Sequence, residues 1–258
     1  MGIEALIDAD IVAYRCAATC EEENESFIAL SRCNDLVERI IDAVGADTYS
    51  LFLSGGDNFR KKIDPAYKAN RDDKPRPKWL QGCREFLVKE WQAKVTDGIE
   101  ADDALGIAQR EDTFICSIDK DLLQIPGMHY NFVKDEEYYI TEPVGLYNFW
   151  TQMIVGDTSD NIKGVKGLGP KKAAKILDPI VEEDLDELDK VYYHVVSNLY
   201  NDTERMHSNA QLLWILRTEG GIWQPPKVKK SGRKGVSKAL LPVSLEPVVE
   251  GGLPSTNA

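Results

Sequence analysis

The sequence predicts an α/β fold in which a parallel sheet is followed by a smaller, all-helical region. Three observations predict it. Short apolar runs with strand character, at Glu4–Asp8, Thr48–Ser54 and Thr113–Ile118, alternate with segments of helical period. Each run leads into an acidic residue, and beyond Val155 only helical patterns recur. A chain of 258 residues is long enough for one such domain with a small appendage and a proper core.

Glu4–Asp8 reads as a short buried strand ending in an acid, with a helical segment to Ala17 after it. Phe27–Val44 places Leu36, Val37, Ile40, Ile41 and Val44 at helical spacing and stops near Gly45. Thr48–Ser54 is the second strand, closed by Gly55-Gly56-Asp57. Residues 58–78 are polar, basic and broken by Pro65, Pro75 and Pro77, so an exposed excursion rather than core is expected. Pro77 opens a helix over Lys78–Lys94, and a further helix begins with Glu100, Asp102 and Asp103 in its first turn. Capping explains acids at a helix start, although three exceed what capping needs. Thr113–Ile118 is the third strand, with Asp119 and Asp121 beyond its end. Two short strands (Met128–Phe132, Tyr138–Thr141) and a helix at Glu142–Val155 follow, then helices at Pro170–Leu177, Glu183–Tyr200 and Thr203–Arg217. The expected organisation is an α/β core over 1–155 with a basic arch at about 58–94, a helical subdomain over 156–224, and a basic, flexible tail over 225–258.

The net charge of −12 argues against a nucleic-acid partner only if charge is evenly spread. It is not. Arg60–Lys78 holds eight basic residues against three acidic ones, and Lys163–Lys175 five against none. The first residues, Met1 to Asp8, lack the basic and long apolar regions of a signal peptide and no apolar run of about 18 residues is present, so a cytoplasmic protein with no membrane partner is expected. Five cysteines without a Cys-x-x-Cys pair read as reduced thiols, and His129, His194 and His207 are not spaced as a zinc site.

The stretch from Ile154 to Leu177 sets two chemistries side by side. Asp157 and Asp160, three residues apart, are expected on one face of a helical turn, where they could share a cation. Gly164, Gly167 and Gly169 then permit close backbone approaches, and Pro170 starts a helix bearing Lys171, Lys172 and Lys175, an arrangement able to aim N–H groups at a phosphate. An acidic cap, a glycine turn and a solvated lysine face account for the same residues. In an open parallel sheet, ligands bind beyond the carboxyl ends of the strands. That rule gathers Asp8, Asp57, Asp119 and Asp121 with Glu100, Asp102 and Asp103, and brings Asp157 and Asp160 within reach. Such carboxylates repel one another by about 4 kcal/mol per close pair at an intermediate dielectric, and hard divalent ions relieve that repulsion.

Six ordered motifs, from Ile7-Asp8 through Gly56-Asp57, Asp64-Pro-Ala-Tyr67-Lys68-Ala-Asn70-Arg71, Glu100-Ala-Asp102-Asp103 and Asp119-Lys-Asp121 to Gly156-Asp157-Thr-Ser-Asp160, resemble the flap endonuclease and 5′-3′ exonuclease family, most of all the short 5′ exonucleases of tailed bacteriophages. The resemblance runs from about Ile3 to Leu177. It implies a resolvase-like (PIN-like) parallel-sheet nuclease core with a helical arch and a C-terminal helix-hairpin-helix subdomain. It implies two Mg²⁺ ions, replaceable by Mn²⁺, with Asp8, Asp57, Glu100, Asp102 and Asp103 at the catalytic ion and Asp119, Asp121, Asp157 and Asp160 at the second. Lys68 and Arg71 would act on the scissile phosphate. DNA would be held by Lys61, Lys62, Tyr67, Lys68, Asn70 and Arg71, and by Lys163, Gly164, Lys166, Gly167, Gly169, Lys171 and Lys172 in a hairpin that can also hold K⁺.

The sequence departs from the family in reading Asp8-Ala9-Asp10 where Asp-Gly is common, and Asp10 is expected as a cap rather than a ligand. Only 42 residues separate Asp57 from Glu100, which leaves a modest arch. The implied activity is 5′→3′ exonuclease and flap endonuclease on duplex and branched DNA, by a monomer in phage replication alongside replication proteins, for primer removal and DNA degradation. The alternatives are a nuclease acting mainly on RNA or RNA–DNA hybrids, and a branched-DNA-binding protein whose acids hold structural ions.

Overall fold

The structure, a computed structural model, describes residues 2–71 and 75–227, which form one compact unit. Positions 72–74 of the expected arch, and the expected basic tail from 228 onward, lie outside the described residues.

β1 (Glu4–Asp8) is an inner strand of the sheet because every residue after Glu4 is apolar up to its terminal acid. Helices cover both of its faces, as parallel sheets require. Ala5 and Ile7 face one side, with Val12, Val37, Ile40 and Leu87, while Leu6 faces the other, with Leu105, Ile115 and Leu122. α1 (Ala9–Ala18) and α2 (Ser26–Ala43) lead to β2 (Thr48–Leu53). α3 (Arg60–Ile63), a 3-10 turn at Ala69–Arg71 and α4 (Leu80–Trp91) lead to β3 (Lys94–Val95). α5 (Ala101–Ala108) precedes β4 (Thr113–Cys116), and a 3-10 turn at Lys120–Gln124 precedes β5 (Gly127–Asn131) and β6 (Glu136–Ile140). The sheet order is β3-β2-β1-β4-β5-β6, parallel throughout except at β5–β6.

After the sheet come α6 (Glu142–Val155), the antiparallel hairpin of β7 (Gly156–Asp157) and β8 (Ile162–Lys163), α7 (Pro170–Leu177), α8 (Leu185–Leu199) and α9 (Thr203–Leu213). These helices bury their own cluster, which includes Phe149, Trp150, Met153, Leu177, Val196 and Met206. The Trp150 indole N–H donates to Asp189 at 2.8 Å, so the largest buried ring leaves no polar atom stranded.

The structure corrects three expectations. Asp157 and Asp160 do not share a helical turn; Asp157 ends β7 and Asp160 sits in the tight turn before β8, because Gly156 at φ 77° breaks α6. The stretch 58–78 is not wholly exposed, since Asn58, Arg60 and Tyr67 are buried. Its polar sequence conceals the burial because all three find polar partners inside. Helix α4 is docked by Cys83 and Leu87 in the same core as α1 and α2. The two-residue strand β3 was not expected, being too short to carry a periodic signal.

Candidate active site

Register decides which side chains meet. Ile7 lies opposite Cys116, so β1 and β4 end together and direct Asp8 and the loop Ser117–Asp121 to the same rim. Asp8 caps α1, accepting the Ile11 N–H at 3.1 Å, and its second oxygen accepts the Ser117 hydroxyl at 2.7 Å. Glu100 is the N-cap of α5 and forms a capping box with Asp103, which leaves Asp102 turned toward the strands' ends. Asp119 caps the following 3-10 turn by accepting the Asp121 N–H at 2.9 Å. A cleft of about 1090 Å³ is lined by Asp8, Glu100, Asp102, Asp119, Asp121 and Asp160, with Lys61, Lys68, Arg71, Arg76 and Arg84 on its walls.

The acids on the floor are crowded. Burial pushes Asp8 up to about 7, and the charges of Asp10 and Asp119 add to it against the Ser117 hydroxyl. Loss of hydration and the charges of Asp8, Asp119 and Glu100 hold Asp102 well above the usual carboxylate range. Burial, then Asp119 and Asp157, push Asp121 up to about 7. For Asp157, burial is outweighed by the Ser159 hydroxyl at 2.6 Å, Lys120 at 3.4 Å and two backbone N–H groups, so its carboxyl lies below the usual range.

Basic residues reach into this cluster from the segment before α4. Lys68 Nζ stands 2.6 Å from Glu100 and 3.6 Å from Asp160, and Arg71 donates to Asp160 at 2.5 Å. Lys68 adopts φ 59°, a strained region for a non-glycine residue, and its N–H is fixed to the Asp160 carbonyl at 3.0 Å. Asn70 donates to the Thr158 carbonyl at 2.8 Å, so this basic segment and the β7–β8 hairpin are clipped together.

Three expected site residues take other places. Asp57 does not line the cleft; its side chain is 63% exposed and its partner is Lys62 at 4.0 Å. The turn after Gly56 carries it outward. Asp103 is fully buried, and its oxygens accept both Arg60 nitrogens at 2.6 and 2.8 Å, the Glu100 N–H and the Leu216 N–H, which leaves no lone pair for an ion. Tyr67 is buried with its hydroxyl 2.7 Å from Glu100 and 2.9 Å from Asp160 and with Lys68 Nζ 5.0 Å from its ring centroid, so little of the ring is open to a ligand. Asp10, expected as a cap, accepts the Ser54 N–H at 2.8 Å and pairs with Arg84, while Asp8 does the capping.

The glycine turn follows directly. Gly164 packs so closely on Gly156 and Val155 that a Cβ would meet backbone at 2.3–2.4 Å, and Gly167 sits at φ 79°. Lys163, Lys166, Lys171 and Lys172 are exposed around it, Lys172 donating to the Gly167 carbonyl at 2.9 Å. Gly169 caps α7, whose first turn holds Pro170, Lys171 and Lys172 and no acid.

Among the described residues, no three His, Cys, Asp or Glu side chains form a ready-made metal cage. The donor chemistry is nonetheless that of a hard divalent ion: the cleft floor offers carboxylate oxygens, and three of them are crowded by charge that a cation would neutralise.

Residues 4–148 match the family described as the 5′-3′ exonuclease, N-terminal resolvase-like domain. The chain belongs to this family. DNA polymerase I of Borreliella burgdorferi is 34% identical over 160 residues, 52% of this chain and 16% of that one. A protein named 5′-3′ exonuclease from Buchnera aphidicola is 29% identical over 176 residues, 61% of this chain and 57% of that one. The chain thus spans less than two thirds of these relatives' length. Among solved structures, bacteriophage T5 5′-exonuclease with bound zinc superposes with a TM-score of 0.62 at 19% identity, covering 81% of this chain and 88% of that one. A bacteriophage T5 flap endonuclease variant in complex with DNA and metal ions gives 0.62 at 18% identity over the same shares. The shared resolvase-like fold is what this likeness establishes.

Several residues that shape the cleft carried no clear sequence signal. Arg60 sits in a basic run that reads as solvated charge, yet it is 2% exposed and clamps Asp103. Lys120 was hidden between two candidate ligands. Ser117, a small hydroxyl at the end of β4 beside the acids, was the one that could have been picked out.

Proposed function

We propose that this chain hydrolyses DNA phosphodiester bonds near free 5′ ends, as a 5′→3′ exonuclease with flap endonuclease activity dependent on Mg²⁺ or Mn²⁺. The observation that carries the reading is the cleft floor, where Asp8, Asp102 and Asp121 are held with raised proton affinity among other carboxylates beneath a basic wall. Crowded acids alone would repel a phosphate. Divalent ions at this floor reverse its sign, and when bound they lower the pKa of water and stabilise a leaving oxygen.

Asp8, Glu100 and Asp102 would hold one ion, and Asp119, Asp121, Asp157 and Asp160 the second. The chain's own residues supply the rest. Lys68 and Arg71, already aimed at the cleft, would bind the non-bridging oxygens of the scissile phosphate and orient it. Tyr67 would keep Glu100 and Asp160 at fixed separation. Ser117 would hold Asp8 in one rotamer. The glycine turn and the N-terminus of α7, with Lys163, Lys166 and Lys171, would grip duplex backbone as a helix-hairpin-helix element and could hold K⁺ through its carbonyls. Lys61, Arg76 and Lys78 would guide the strand along an arch over the cleft. This division corresponds to a core over 1–155 that includes α4, an arch formed by the residues between Asp57 and α4, and a duplex-binding part over 156–224. No helix among the described residues is long and apolar enough to cross a membrane. The fitting biological setting is primer removal and duplex degradation in DNA replication.

The deciding assay uses duplex, 5′-flap and RNA–DNA hybrid substrates, each labelled at the 5′ or the 3′ end, with Mg²⁺, Mn²⁺ or chelator. Short 5′-labelled products in Mg²⁺ and none in chelator are expected. Cleavage that persists in chelator, or that trims only 3′ ends, would overturn the reading.

A further inference from the structure

We infer that Gln152, on α6, is a positioning residue that braces Asp121 and Asp157 for a divalent ion without competing with that ion; the inference rests on the proposed metal-dependent function. Gln152 Nε2 donates to Asp121 at 2.7 Å and stands 3.5 Å from Asp157. Its Oε1 accepts Gln124 Nε2 at 2.9 Å. Gln124 is 1% exposed and is itself fixed, since its Nε2 also donates to the Leu213 carbonyl at 2.8 Å and its Oε1 faces the Ile215 N–H at 3.4 Å.

An amide has one donating and one accepting end, and two carboxylates only accept, so the Gln152 NH₂ group must face the acids. Its oxygen is then turned to Gln124, whose own oxygen must meet Ile215. Every amide in the relay therefore has a single satisfied orientation, set by the backbone after α9. The other side chains on Asp121 and Asp157 are Lys120, which is charged, and the Ser159 hydroxyl, which reaches Asp157 alone. Lys68 and Arg71 bind Asp160, and Lys120 reaches Asp157 from a side chain that is 73% exposed. A cation entering the floor must displace or repel such charges, whereas a neutral amide lends a hydrogen bond and no repulsion. Gln152 is thus the neutral side chain that reaches both Asp121 and Asp157 and can stay in place when the site fills. Groups that orient metal-binding side chains in this way typically change ion affinity about 10–100-fold when removed.

The test is calorimetric titration of the chain with Mn²⁺, with melting temperature recorded in chelator and Mg²⁺-dependent cleavage measured in parallel. In Gln152→Met, which keeps length but removes the donor, Mn²⁺ affinity at one of two sites should fall about tenfold or more. The Mg²⁺ concentration for half-maximal cleavage should rise accordingly, while KM for DNA and the chelator melting temperature stay put. Gln152→Lys adds a competing charge at the same place and should weaken uptake further. Should Gln152→Met fail to fold, the lysine variant decides. Unchanged Mn²⁺ affinity in the folded variants would overturn the inference alone. No Mn²⁺ uptake by the unaltered chain would overturn the functional reading and the inference with it.

Discussion

At the start of α5, Asp102 and Asp103 are adjacent in the chain but face different neighbours. Asp103 turns inward to Arg60, while Asp102 turns to the cleft among other acids. Asp103→Asn strips buried Arg60 of its nearest counter-charge and leaves it Glu100 at 3.5 Å, and we expect a loss of about 3 kcal/mol in stability, read by urea unfolding. Asp102→Asn removes a repelled charge, so the metal-free protein should melt no lower than the parent. Single-turnover cleavage in Mg²⁺ should nonetheless fall about 100-fold or more, since stabilisation and activity are opposed at such a site. Asp57→Ala provides the contrast. An exposed carboxylate away from the cleft should be removable with cleavage changed less than about threefold and stability within about 0.5 kcal/mol, and a collapse of activity would show that Asp57 swings inward when ions bind.

Regular elements were the most legible part of the sequence. The helix at Glu142–Val155 and the one at Pro170–Leu177 have the bounds their patterns give, because Thr141, Pro143, Gly156, Gly169 and Pro170 mark their ends. What sequence could not reveal was the exchange of roles between local and distant partners. Arg60 looks solvated until its contacts with Asp103 and with the Leu212 carbonyl, 152 residues away, are known. Asp157 and Asp160 have helical spacing, and the positive φ of Gly156 and of Asn161 makes their segment a hairpin. The same hairpin yields an element-scale prediction. Lys166→Ala with Lys171→Ala, both exposed beside the glycine turn, should weaken duplex binding evenly across sequences and lower the slope of log affinity against log salt by about two units. Binding measured between about 50 and 200 mM salt in Ca²⁺ checks it, and a sequence-dependent loss would count against a phosphate grip.

Across the whole molecule, the crowded floor links stability to pH and to ions. A carboxyl with raised proton affinity in the folded state contributes stability that is full below its unfolded value of 3.8 and is lost as pH climbs through about 7, for Asp8 and Asp121 alike. Asp157 has the opposite sign, because its lowered carboxyl contributes above 3.8 and loses that contribution as acid protonates it. Repulsion on the floor therefore weighs most above neutral pH. The rise in melting temperature caused by Mg²⁺ should be small near pH 5 and grow toward pH 8, where free ion at 100 times its dissociation constant adds about 2.7 kcal/mol. A rise independent of pH would place the ions elsewhere. The β7–β8 hairpin has one further consequence, since Asp157 at the end of β7, Asp160 on the turn and the lysines beyond Gly164 belong to a single short piece of backbone, wedged at Gly164 against Val155 with no space for even a methyl group. With nucleic acid on the lysines and a cation on the acids, as proposed, any strain passed along this backbone would change both affinities by one common factor, since such coupling is reciprocal.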